Sequence, residues 1–109
     1  MEVRNLSQLK KALKDGHLFV IAGHENFPER IGEVRAVNKM QSNGFYSVVY
    51  QQPTHPISQA NHGRGSWLDF GKSENWIFYD NGIIENYLVH NGNKMKMLTI
   101  QILDDLMEG

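Results

Sequence analysis

Cysteine is absent from the 109 residues, which excludes disulfide staples, a thiolate nucleophile and any zinc site built on Cys. Net charge is also scarce. The 11 Lys and Arg against 12 Asp and Glu leave −1, so no whole-molecule field draws the chain to nucleic acid or to an anionic membrane, and it is not acidic enough to imitate DNA. No apolar run approaches membrane-spanning length, and the opening stretch from Met1 to Gly16 is polar and Lys-rich, unlike a signal peptide. A cytoplasmic location without membrane attachment is expected. Only three prolines are present, and Pro53 and Pro56 fall in one short segment, so the chain breakers are concentrated there.

What is present is ordinary for a globular protein. Hydrophobic residues make up 40% and charged residues 21%, well away from the composition of disordered chains. The length suits one domain, residues 1–109, that buries about two-thirds of the surface of its unfolded chain. A second domain would have too little core.

Asn5 is placed to cap a helix, with Gln8 three residues on as in a capping box, and Leu6, Leu9, Ala12 and Leu13 follow at helical spacing until Gly16 stops the pattern. Lys10, Lys11 and Lys14 lie away from the leucines and read as a solvated flank. From His17 the periodicity changes. Clusters rich in β-branched and aromatic residues predict strands over His17 to Ala22, Ile31 to Met40, Phe45 to Gln51, Ser66 to Phe70, Asn75 to Tyr79, Ile83 to Val89 and Lys94 to Leu103. Three pairs, Asn43-Gly44, Asn81-Gly82 and Asn91-Gly92, separate such runs and predict hairpins, because both residue types tolerate positive φ. Asp104 to Gly109 is acidic and expected to fray. The predicted fold is α+β: an N-terminal helix packed on a strongly curled antiparallel meander, a small partly closed β-barrel that removes exposed edges.

Gln51 to Gly65 interrupts this pattern with two prolines, two histidines and two glycines. Loops of that length without structure are uncommon in small domains and are often functional. Polar donors in and after it, namely His55, Asn61, His62, Arg64, Trp67 and Lys72, form the candidate binding set over the 52–67 loop.

Other chemistries find less support. Gly65 to Ser73 ends like a phosphate-binding loop, but five residues separate its glycines, two of them aromatic, and the next segment reads as strand where a helix is required. His55 and His62, with Asp69, are the first choice for a metal, yet their spacing matches no metal motif, and no metal or cofactor is expected. There is no Gly-x-Ser-x-Gly elbow and no paired-carboxylate motif, so the balance leans against an enzyme without excluding a carboxylate dyad brought together by the fold. A single-stranded nucleic-acid or nucleotide site is the alternative to a protein-binding surface. Tyr46, Tyr50, Trp67 and Trp76 would stack on bases, with Lys39, Arg64 and Lys72 meeting phosphates. Against that, both tryptophans are favoured as core anchors, Trp76 more so than Trp67.

The segments Val37 to Tyr46 and Gly65 to Ser73 resemble a group of small proteins carried by phages, plasmids and integrative elements of Gram-positive bacteria. That group shares a Leu-rich opening helix, a Lys-x-Gln-Ser/Thr-Asn-Gly hairpin and a Gly-x-Trp-Leu strand ending near a Lys. The resemblance extends from Leu6 to about Ile102 and carries no catalytic residues with it. It implies a bacterial cytosol and an accessory protein of a mobile element, with blocking of a host defence as one such role.

Overall fold

The computed structural model describes residues 1–50 and 65–107. Helix α1 runs from Leu6 to Lys14. Asn5 Oδ1 accepts the Gln8 N–H at 2.8 Å, while Gln8 Oε1 accepts the Arg4 N–H at 2.7 Å, one residue earlier than in a regular capping box. Nine residues are too few for a helix to hold by itself in water. Burial of Leu9, Ala12 and Leu13 supplies the missing stability. Of the three lysines expected in solvent, Lys11 and Lys14 are exposed, but Lys10 is half-buried with its Nζ 4.8 Å from the centre of the Phe70 ring.

The strands are β1 (His17–His24), β2 (Val34–Gln41), β3 (Gly44–Val49), β4 (Ser66–Asp69), β5 (Trp76–Phe78), β6 (Ile83–His90) and β7 (Asn93–Leu106). They form one antiparallel sheet in the order β4-β3-β2-β1-β7-β6-β5. The first four strands and the last three are thus two meanders, joined where β7 docks on β1. Strand β2 starts later than expected because Pro28–Arg30 forms a 3₁₀ turn and Gly32 follows at φ 95°. From Asp104 to Met107 the expected fraying is not found. β7 continues to Leu106 opposite His17, the Met107 N–H donates to the Gly16 carbonyl at 2.7 Å, and Asp104 meets the Met1 ammonium at 3.0 Å.

The chain passes from one edge of the sheet, β4, to the other, β5, through residues 70–75 alone. Seven strands laid flat would hold their edges about 29 Å apart at the usual spacing of about 4.8 Å. The peptide steps from Asp69 to Trp76 reach at most about 25 Å fully extended, and part of that stretch is a 3₁₀ turn at Ser73–Asn75. The sheet therefore has to bend. Irregular register at Val37/Lys39, Ile21/Gly23 and Asn86/Tyr87 adds local twist. Among the described residues no ladder joins β4 to β5, so the sheet is open and the expected barrel is not closed by hydrogen bonds. A side chain bridges the gap: Trp76 Nε1 donates to the Phe70 carbonyl at 2.6 Å.

The inner face of the bend buries Phe19, Phe45, Phe70, Trp76, Ile84, Ile100 and Ile102 against the helix leucines. A smaller cluster of Leu18, Ala36 and Tyr50 forms on the opposite face. Two of the three Asn-Gly pairs adopt the left-handed conformation, Asn91 and Gly92 at φ 52° and 79° between His90 and Asn93, Asn81 and Gly82 at 63° and 75°. The third differs. Gly44 is the first residue of β3 and has no positive φ, but a Cβ there would collide with the Leu68 carbonyl and the Trp67 indole, so close packing is what requires glycine.

Replacing Trp76 by Phe removes the indole N–H and leaves the Phe70 carbonyl without its donor. The expected loss is about 1–3 kcal/mol in urea denaturation. A variant as stable as the parent would show that this bond does not hold the two edges together.

Candidate functional site

Strand alternation along Val34-Arg35-Ala36 turns Arg35 to the inner face, between Phe19 on β1 and Val49 on β3 in register. It is buried, at 1% exposure. A guanidinium in that position has to be fully answered. Its Nε donates to Ser47 Oγ at 2.8 Å, Nη2 to the Ser47 carbonyl at 2.8 Å and to Ser66 Oγ at 3.2 Å, and Nη1 to Glu33 Oε1 at 2.8 Å. The planar fork of arginine suits this work. One side chain thereby ties β2 to β3 and β4.

Beside this clamp the bent sheet leaves a cavity of about 310 Å³, at the lower end of the range for small-molecule pockets. Phe19, Ile21, Phe45, Leu68 and Leu98 supply apolar wall, with Arg35, Ser47 and Ser66 as a polar floor and Asn86 reaching in from β6. The rim is formed by His24, Phe27 and Arg30, from the end of β1 and the 3₁₀ turn. The Arg30 guanidinium lies 4.5 Å from the centre of the Phe27 ring, and the His24 ring meets Phe27 edge-on at 5.2 Å. Burial pushes the His24 pKa down, and the nearby Arg30 charge adds to that, so the imidazole is neutral at neutral pH. Its Nδ1 accepts the Phe27 N–H at 3.2 Å, which leaves the proton on Nε2 as a donor.

Of the six candidate residues, His55, Asn61, His62 and Arg64 lie outside the described residues. Trp67 is half-buried. Its ring packs 4.9 Å from Tyr46, its Nε1 donates to Asp69 Oδ1 at 2.7 Å, and it borders the cavity. Lys72 is exposed in the turn after β4, where its carbonyl accepts the Asn75 N–H at 3.0 Å, and does not border the cavity. The four-ring stacking surface is not assembled. Tyr50 at 7% exposure belongs to the smaller apolar cluster and Trp76 at 5% to the main core, so neither ring can meet a base. What does assemble is a row across the outer face, Lys39 opposite Tyr46 opposite Trp67.

Among the described residues no group of three His, Asp or Glu could hold a metal, and the Asp69 carboxylate is engaged by Trp67. Gly71 to Ser73 leads into a 3₁₀ turn and then β5, without the α-helix a phosphate loop needs. A second polar cluster is a brace on the sheet. Glu85 Oε1 accepts both the Tyr79 and Tyr87 hydroxyls at 2.9 Å, and Oε2 meets Lys96 at 3.3 Å. Burial acts to raise the pKa of that carboxyl, and the three hydrogen bonds together outweigh it and hold the pKa below its ordinary value.

Sequence reasoning did not single out Arg35, Arg30, Phe27 or His24 as a group. The available signal was an arginine at an inward position between apolar neighbours in Val34 to Val37. No protein-family model matches the chain, and no curated protein or solved structure matches it. No helix among the described residues is long and apolar enough to cross a membrane.

Arg35→Met should cost about 2–3 kcal/mol in urea denaturation, less than a fully orphaned buried charge because Glu33 keeps some access to water. Adding Glu33→Gln should recover part of the loss. Parent-like stability of the single variant would refute the clamp.

Proposed function

We propose that the chain is a small non-catalytic binding module whose recognition site is the cavity at the mouth of the bent sheet, engaged by a protein partner together with the 52–67 segment. The observation that carries this reading is the division of labour in the cavity. The Arg35 guanidinium and the oxygens of Ser47 and Ser66 that it meets are committed to one another, as a scaffold requires, while the walls are apolar and the rim carries His24 and Arg30. Ser66 and Leu68, where the chain re-enters the sheet at β4, border the same space. The resemblance to proteins of phages and mobile elements supports a setting, an accessory role in a bacterial cytoplasm, with interference with a host defence as one form of it.

The test is a fragment screen read by methyl NMR. Ligands should shift the methyls of Ile21, Leu68 and Leu98 and leave those of Ile84 and Ile102, deep in the main core, in place. Shifts that avoid the cavity walls for every ligand would remove the proposal.

A second reading, single-stranded nucleic-acid binding, is favoured by the outer row of Lys39, Tyr46 and Trp67. It predicts quenching of Trp67 fluorescence by oligonucleotides in a Trp76→Phe background, weakening steeply as salt rises. No quenching at low salt would end it.

A further inference from the structure

We infer that what the partner seats in the cavity is a flat apolar group bearing a negative charge, its body lying against Phe19, Ile21 and Leu98 and its charge turned to Arg30 at the rim. This deepens the proposed function and rests on the cavity being the recognition site. The residues bordering it include two guanidiniums and, among the described residues, no carboxylate. The two arginines are in different situations. Arg35 is paired with Glu33 at 2.8 Å on the floor. Arg30 is half-buried and meets the face of Phe27, and it forms no ion pair among the described residues; its neighbour Glu29 is exposed.

A cation held over an aromatic ring at the lip of a low-dielectric cavity attracts an anion more strongly than the same charge in open water. His24 adds a donor at the same rim, the Nε2 proton left by the Nδ1 contact to Phe27. An apolar body is required as well. A bare inorganic anion would leave the Phe19, Ile21 and Leu98 walls uncovered and would gain only the rim.

The test uses two fluorescent probes with one ring system, 8-anilinonaphthalene-1-sulfonate, an anion, and neutral N-phenyl-1-naphthylamine. The sulfonate should bind the intact chain saturably, and Arg30→Gln should weaken it about fivefold or more while changing the neutral probe less than about twofold, a difference well outside titration error. Leu98→Trp, which fills the cavity, should weaken both. If that variant does not fold, shifts of the Ile21 and Leu98 methyls on titrating the parent locate the probe instead. Binding of the neutral probe alone, or a sulfonate affinity indifferent to Arg30→Gln, overturns the anion and leaves the cavity reading standing. Binding of neither probe, or binding that leaves the Ile21 and Leu98 methyls unmoved, overturns both.

Discussion

The connection between β4 and β5 is too short for a flat sheet, and most of the structure follows from that constraint. Because residues 70–75 join opposite edges, the seven strands bend until the Phe70 carbonyl and the Trp76 indole meet. The bend gives the sheet an inner face that one short helix can cover at one part, where Leu9 and Leu13 pack. Among the described residues another part is left uncovered, and that part is the cavity. A flat sheet of the same strands would need a second layer to bury its apolar face.

Within this frame the charged residues do two different jobs. Arg35 is buried, and its hydrogen bonds to Ser47 and Ser66 cross-link β2, β3 and β4. Such a group gives registry more readily than net stability, since its desolvation offsets much of its attraction to Glu33. Arg30 keeps its charge at the rim against Phe27. The distinction is what the proposed ligand rests on, because among the described residues no carboxylate already answers Arg30.

Local elements were legible in the sequence. The Asn5 cap, the leucine spacing of α1 and all seven strands can be read from propensity and period, since each depends on neighbours a few residues away. The pairing of β7 with β1 could not, because it joins residues as distant as 17 and 106 through a ladder with no local signature. The favoured core placement holds for Trp76, but that of Trp67 could not be fixed for a similar reason. Alternation places Trp67 and Leu68 on opposite faces of β4 without saying which face is inner, and Leu68 is the one opposite core residue Phe45. Gly44 shows the limit from the other side: the hairpin was correctly read, but the need for glycine comes from the indole lying across it.

The late arrival of β7 has a consequence for synthesis. On the ribosome β1 emerges first and can pair with β2, yet its other flank has no partner until the chain beyond residue 97 has been made. A nascent chain paused before that point displays a bare strand edge bearing Phe19 and Ile21, the kind of surface that chaperones shield and that neighbouring nascent copies can join. Closure of the domain is in this sense a C-terminal event, and truncation of β7 would expose the centre of the sheet in a way that loss of β4 would not.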